Sequence, residues 1–326
     1  MTPTLSVVMP ILNEAPHLRR TIAALLEALE ASDFDPELVL VDDGSTDESV
    51  RVVREAVGDR VPLQIISQPN RGRFDARRAG VEAARADLVL LLDGRVAIAD
   101  DALAFVQERV RAGEDVWTSH VHVEAGGNLF ALFWQLLAEL AWADYFRRPQ
   151  TTSFGAGDFD RYPKGTTSFL APRSVLLDAI RAFRTRYADA RHANDDTPLI
   201  RWIAERKPIH VSPRYASFYR PRGTPAGFAR HSFHRGIVFL DGHGRSESRF
   251  FRVVVAFYPV SFCLAVAALR RPAVLVRTAA FAVAAGAAVG VAHRRRPLEV
   301  LSLGLLTPVY ALFHGAGMWR GLFMPR

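Results

Sequence analysis

The chain has 326 residues, 49% hydrophobic and 23% charged, a balance that excludes an intrinsically disordered chain and leaves room for one large α/β domain plus an appended module. A formal charge of +7 and a pI near 10.0 fit anionic partners such as nucleotide pyrophosphates, anionic lipid or nucleic acid, without choosing among them. The one cysteine, Cys263, lies in an apolar run, which excludes an intramolecular disulfide and a cysteine-built metal site.

Met1-Thr2-Pro3-Thr4 leads directly into an apolar strand, with no basic stretch followed by a long apolar core. No cleaved signal peptide is expected, and the N-terminal domain is expected to stay cytoplasmic. Strands are predicted at Leu5 to Met9, Glu37 to Val41, Leu63 to Ser67 and Leu88 to Leu92. Helices are predicted at His17 to Ala31, Asp47 to Val57 and Phe74 to Ala86. Apolar strands alternating with amphipathic helices predict a parallel sheet covered on both faces. In such sheets ligands bind at the carboxyl ends of the strands. The first, second and fourth strands end in Pro10-Ile11-Leu12-Asn13-Glu14, Asp42-Asp43-Gly44-Ser45 and Asp93-Gly94-Arg95.

Asn128 to Phe146 is a candidate helix rich in aromatic residues, closed by Arg147-Arg148-Pro149. It reads either as a core helix or as one lying at a membrane surface beside a lipid acceptor. Ser153 to Thr167 is a Gly-, Thr- and Pro-rich loop suited to shaping an acceptor pocket.

Beyond Phe250 the composition changes. No Asp, Glu, Lys or Arg occurs between Arg252 and Arg270, between Arg277 and His293, or between Glu299 and Arg320. These stretches approach the roughly 20 apolar residues needed to cross a bilayer. Arg270-Arg271 and His293-Arg294-Arg295-Arg296 separate them, and the stronger cluster is expected on the cytoplasmic side. Residues 250–326 are thus expected to form a membrane region with two or three transmembrane helices, buried helices of a soluble domain being the other reading. Residues 1–245 are expected to form the globular domain, with a nucleotide-binding half over 1–100 and an acceptor-binding half over 101–245.

Three segments, Ser6 to Glu14, Val39 to Asp47 (Val-Leu-Val-Asp-Asp-Gly-Ser-Thr-Asp) and Asn70 to Gly80 (Asn-Arg-Gly-Arg-Phe-Asp-Ala-Arg-Arg-Ala-Gly), resemble in order and spacing the family 2 glycosyltransferases of the GT-A fold. An isolated Asp-Asp-Gly-Ser would be weaker, since it also makes a good turn and helix start. The resemblance implies an α/β fold of Rossmann-like mixed sheet and a nucleotide-sugar donor, UDP-linked. It places Pro10, Asn13 and Glu14 in the nucleotide pocket, with Asn70 and Gly72 in the following loop. A carboxylate at a strand end can accept the imide N–H of uracil, which suits Asp42 or Asp43, and Gly44 lets the backbone turn beneath the base. Arg77, with Arg73 near it, would face the diphosphate.

Asp93 stands where the family normally has Asp-x-Asp, whose carboxylates hold a divalent cation. Here the motif reads Asp93-Gly94-Arg95. Arg95 would then neutralise leaving-group charge itself, and Mg²⁺ or Mn²⁺ would rest on Asp93 and substrate phosphates. Weak or altered metal dependence is expected. In Asn194-Asp195-Asp196-Thr197, Asp196 matches the family's general base and Asp195 its neighbour, although the same residues make a helix cap. Tyr219 and the arginines 214, 220 and 222, then Arg230 to Gly236, are read as phosphate-gripping or as nonspecific lipid contacts. His231 and His234 lack a third ligand for zinc.

The partners expected are a nucleotide-sugar donor, a lipid-linked or membrane-proximal glycan acceptor and the membrane, with no nucleic acid. The processive Gln-x-x-Arg-Trp signature is not found. The alternatives are a polyprenyl-phosphate glycosyltransferase and a catalytically impaired sugar-nucleotide-binding subunit. A dinucleotide oxidoreductase is disfavoured because no Gly-x-Gly-x-x-Gly follows the first strand.

Overall fold

The computed structural model describes residues 4–246 and 248–325. The leader-free reading of the first residues therefore begins outside the described set. The chain opens with β1 (Leu5–Ile11), α1 (Ala15–Glu30), β2 (Pro36–Asp42), α2 (Ser49–Val57), β3 (Leu63–Ser67), α3 (Arg73–Ala83) and β4 (Leu88–Leu92). These are the seven expected elements, with ends shifted by up to three residues. β4 is a run of Leu and Val alone, and β1 and β2 are apolar at most positions, with Ser6, Glu37 and Asp42 as buried polar exceptions, so all three are buried on both faces as a covered parallel strand must be. β1 pairs in parallel with β2 and β4, and β2 with β3.

The middle of the chain supplies β5 (Val96–Ile98), α4 (Ala102–Arg111), β6 (Trp117–Val123), α5 (Leu129–Ala141), α6 (Ala143–Arg147), β7 (Thr152–Phe154), β8 (Ser168–Pro172), α7 (Arg173–Ala182), α8 (Thr197–Ala204) and β9 (Ile209–Tyr219). The sheet order is β3-β2-β1-β4-β8-β6-β9-β5, with β7 on β9. β8 runs antiparallel to β4 and to β6, so the sheet is mixed, parallel from β3 to β4 and antiparallel between β4, β8 and β6. The single helix expected over 128–146 is two, broken at Trp142, and part of the expected loop over 153–167 pairs as β7.

Two apolar clusters cover the two faces of this sheet. Leu18, Ile22, Leu25 and Trp117 lie in one, and Val81, Phe169, Leu176 and Ile200 in the other. Side chains alternate across each strand, which sends Val7 to the first face and Val8 to the second.

The chain ends in α9 (Pro225–His243), α10 (Phe251–Arg270), α11 (Ala273–Ala292) and α12 (Pro297–Leu322). The last three are long and apolar enough to cross a membrane. By contacts the protein forms two compact units. One comprises the chain through His122, Ala141–Arg184 and Asp195–Arg220. The other comprises Val123–Leu140, Thr185–Asn194 and everything from Pro221 onward.

Candidate active site

The carboxyl ends of β1, β2 and β4 carry the acidic loops, and each loop is tied to its neighbour by side chains. After β1, Asn13 adopts a left-handed φ of 54°, a conformation that Asn tolerates better than most residues. Its Oδ1 accepts the Thr46 N–H at 2.8 Å, and its own N–H donates to Ser45 Oγ at 3.0 Å. The Glu14 N–H donates to Ser49 Oγ and the Ala15 N–H to Asp47 Oδ2. Ser45, Thr46, Asp47 and Ser49 thereby hold the β1–α1 loop on the β2–α2 loop. Pro10 is buried within β1 beneath them.

Asp42 and Asp43 are both buried, with distinct jobs. Asp43 Oδ1 accepts from Gln68 Nε2 at 2.7 Å and from the Arg71 N–H at 2.8 Å, and Oδ2 accepts from the Gly72 N–H at 2.9 Å. Its carboxylate is spent on the 68–72 loop. Asp42 Oδ1 accepts the Ser45 N–H at 2.9 Å, and Oδ2 takes no hydrogen bond among the described residues. Of the two aspartates expected to read a base, Asp42 is the one with an oxygen to offer. Gly44 sits at φ +85°, and a Cβ there would come within 2.9 Å of the Asn70 N, so only glycine lets these two loops approach.

The electrostatic centre is Arg77, on the buried side of α3. One guanidinium nitrogen, Nη2, lies 2.6 Å from Asp93 Oδ1, and the other, Nη1, donates to Asp195 Oδ2. The Arg77 and Asp195 side chains are each only 6% exposed, and Asp93 is 20% exposed. Arg73, one turn earlier, reaches Asp195 Oδ1 at 3.1 Å but is 56% exposed. Asp195 above all, then Asp93 and Asp196, raise the already high pKa of Arg73, so its charge is permanent. Of the two arginines expected to face the diphosphate, Arg77 is buried between two carboxylates and Arg73 is the one whose guanidinium keeps an open side.

Arg95 also has a partner. Its Nε lies 2.6 Å from Glu14 Oε2, and both side chains are largely buried. The cation that stands in for the second carboxylate of Asp-x-Asp is therefore neutralised by Glu14, which sequence reasoning had placed separately in the nucleotide pocket. Among the described residues no group of three His, Cys, Asp or Glu side chains converges as a metal site. Asp93 is fixed from both sides, its N–H donating to the Thr167 carbonyl at 2.9 Å and its carbonyl accepting from Val96 N.

Asp196 opens α8. Its Oδ1 accepts the Thr197 N–H at 2.5 Å and the Thr197 hydroxyl at 3.1 Å, and Pro198 occupies the first turn. Asp196 is thus a helix cap, as one reading held, with Oδ1 occupied in that role.

The family model for glycosyl transferase family 2 matches residues 6–166, a span holding the Asp42, Asp43, Arg77 and Asp93 cluster. The chain carries a glycosyl transferase family 2 domain. Its fold is GT-A. A mannosyltransferase from Pyrobaculum calidifontis, solved with GDP-Man and Mn²⁺, superposes at a TM-score of 0.56 over 99% of this chain and 88% of that one, with 16% identity.

Sequence relatives of the family 2 domain include an uncharacterized glycosyltransferase of Haemophilus influenzae, 34% identical over 102 residues, 31% of this chain and 40% of that protein. Another is the undecaprenyl-phosphate 4-deoxy-4-formamido-L-arabinose transferase of Proteus mirabilis, 33% identical over 125 residues, 34% of this chain and 38% of that protein. The chain therefore spans well under half the length of these relatives.

Sequence reasoning missed Gln68, which shares Asp43 with the 68–72 backbone, and Thr167, which anchors Asp93. Neither lies in a recognisable motif. Ser45 and Asp47 stood inside the Asp-Asp-Gly-Ser-Thr-Asp run and were legible as turn formers.

Proposed function

We propose that the chain is an inverting glycosyltransferase moving a sugar from a UDP-linked donor to a hydroxyl of a lipid-linked or cell-envelope glycan acceptor at the cytoplasmic face of the membrane. The observation that carries this reading is the meeting of Asp93, Asp195, Arg73 and Arg77 in one network at the carboxyl edge of the sheet, beside the Asp42 loop. Asp42 offers one unshared oxygen, which matches the single imide N–H of uracil better than the paired donors of guanine. Arg73, open on one side, is suited to the donor diphosphate.

A divalent ion fits here through Asp93 Oδ2 and the donor's own phosphates, as Mg²⁺ commonly binds through one or two carboxylates plus substrate phosphates. When bound it would neutralise charge on the departing diphosphate. Within the protein, Arg77 holds Asp93 in place and Asp195 is neutralised by two guanidinium groups. Asp195 is thereby a poor base, and Asp196 Oδ2 is the group left to take a proton.

The acceptor oxygen forms its bond to the anomeric carbon from the face opposite the diphosphate. The carbon–oxygen bond to that diphosphate breaks, and its electron pair leaves with the nucleoside diphosphate. The hydroxyl proton passes to Asp196. A second reading, transfer to a polyprenyl phosphate, is supported by the Proteus relative, an undecaprenyl-phosphate 4-deoxy-4-formamido-L-arabinose transferase. That acceptor is already ionised and needs no base.

The test is transfer from radiolabelled UDP-, GDP- and dTDP-sugars to membrane lipid extract by the full chain in nanodiscs. The account expects a lipid-linked product of inverted anomeric configuration from a UDP-sugar. Asp196→Asn at full rate would favour the phosphate acceptor, and no transfer from any donor would sink both readings.

A further inference from the structure

The three C-terminal apolar helices look alike in composition, yet their contacts differ. We infer that only α10 and α11 cross the bilayer, and that α12 lies in the plane of the membrane surface with its exposed face against lipid. The inference rests on contacts within the second unit and does not depend on glycosyl transfer.

Both ends of α12 are fastened to other segments of the second unit. Near its start, Ser302 Oγ donates to the Leu129 carbonyl at 2.8 Å, and Arg295 pairs with Glu139 of α5. At its far end the Ala188 N–H donates to the Pro325 carbonyl at 3.1 Å. The Tyr187 hydroxyl, which abuts Gly321, donates to the Ile237 carbonyl at 2.9 Å. Tyr187 belongs to Thr185–Asn194, a run containing Arg186, Asp189, Arg191 and His192. Ser302 and Gly321 are 19 residues apart, about 28 Å of helix, nearly the roughly 30 Å of a hydrocarbon core. If α12 spanned, Leu129 and Tyr187 would sit on opposite faces of the membrane.

The neighbour of α12 makes the same point. Phe228 of α9 shares an apolar cluster with Leu303 and Leu306, and Leu240 of α9 shares one with Met318. Between these, a Cβ on Gly236 would collide with the His314 carbonyl, and one on Gly317 with the Phe233 carbonyl. The helices therefore lie side by side, their backbones brought close by glycine. α9 carries Arg230, His231, His234, Arg235 and Asp241. Asp241 is buried, accepting from Thr185 Oγ1 and from the Arg186 and Asn194 N–H groups. A spanning α12 would drag these charges toward the bilayer centre, where charged side chains are strongly disfavoured.

α10 and α11 stand on α12 at separate places. Tyr258 and Ser261 of α10 hydrogen-bond to Met318 and Trp319, whereas Gly286 and Gly290 of α11 abut Leu303, Thr307 and Val300. Leu303 and Met318 are 15 residues apart, about 22 Å. The two helices are joined by the Arg270-Arg271-Pro272 turn, and residues 275–281 are exposed. Each has 20 residues, about 30 Å, enough to carry the turn to the opposite face.

The outer face of α12 has the matching chemistry. Leu298, Leu301, Leu305, Leu312 and Phe323 are all exposed. At about 100° per residue they fall within roughly 60° of the helix circumference, while Leu303, Leu306 and Met318 lie on the buried side. A continuous apolar stripe of this kind embeds in the headgroup and acyl boundary.

The test uses the full chain in nanodiscs with Cys263→Ser as background. Single cysteines at Leu298, Leu305, Leu312 and Phe323, all exposed, receive spin labels, and depth is read from oxygen and nickel-chelate accessibility. Equal shallow depth at all four positions is expected, with a steep gradient along single cysteines at Val253, Val260 and Leu269 of α10, all exposed, as the control. A depth maximum between Leu305 and Leu312 would overturn the inference. So would a C-terminal reporter found on the face opposite an N-terminal one, since two spans return the chain to the side it started from.

Discussion

Arg77 Nη2 lies 2.6 Å from Asp93 Oδ1 while the other nitrogen of the same guanidinium holds Asp195, 118 residues further along the chain. A single buried cation thus ties together two carboxylates from distant parts of the chain. Removing one partner of a buried charge pair costs about 3 to 5 kcal/mol. Arg77→Met is expected to destabilise the protein by that order, seen as a fall in thermal unfolding temperature. Arg77→Lys keeps the charge but loses the fork, so it should recover stability more than activity.

Arg73 shares Asp195 but is more than half exposed. Arg73→Ala should leave unfolding nearly unchanged. It should weaken donor binding about tenfold to a hundredfold, the value of a hydrogen bond to a charged group. Isothermal titration with UDP checks this, and a large drop in stability would instead assign Arg73 a structural role.

Gly44 makes room for Asn70 and occupies a left-handed backbone conformation. Gly44→Ala should cost about 1 to 2 kcal/mol for that backbone alone. It should also push the 68–72 loop from Asp43, with loss of UDP affinity measured on the purified variant.

His120 of β6 is buried, with Nδ1 2.9 Å from the Tyr145 hydroxyl. Burial, and secondarily His122, lowers its pKa from 6.5 to about 4. Between those values the unfolded chain binds the proton and the folded one does not, so stability is full above pH 6.5 and falls as pH drops toward 4. That gap corresponds to on the order of 3 kcal/mol. Chemical denaturation at pH 7 and pH 4.5 should show the loss, and His120→Gln should flatten it.

The parallel half of the sheet was legible because β1, β2 and β4 are unbroken apolar runs, each ending in residues that favour turns. The antiparallel half was not, since β6 contains His120 and His122 and β9 contains Arg214, which break any simple alternation. Asp42, Asp93 and Asp196 could be located from motifs, but their partners could not. Arg95 finds Glu14 across 81 positions and Arg77 finds Asp195 across 118, distances over which no local pattern operates. Hydropathy marks all three C-terminal helices as long and apolar enough to span, and only the contacts of α12 with α9 and the 185–194 segment distinguish its surroundings.

The central claim is that the carboxyl edge of the sheet binds a nucleotide-sugar with Asp42 reading the base. The most direct measurement is calorimetric binding of UDP and GDP to the full chain in nanodiscs, with and without Mn²⁺, for the native protein and Asp42→Asn. The account predicts that UDP binds more tightly than GDP and that Asp42→Asn loses at least about tenfold in UDP affinity while unfolding normally, the loss expected for a hydrogen bond to a charged group. Equal UDP binding by the native protein and Asp42→Asn, or no nucleotide binding at all, would contradict it.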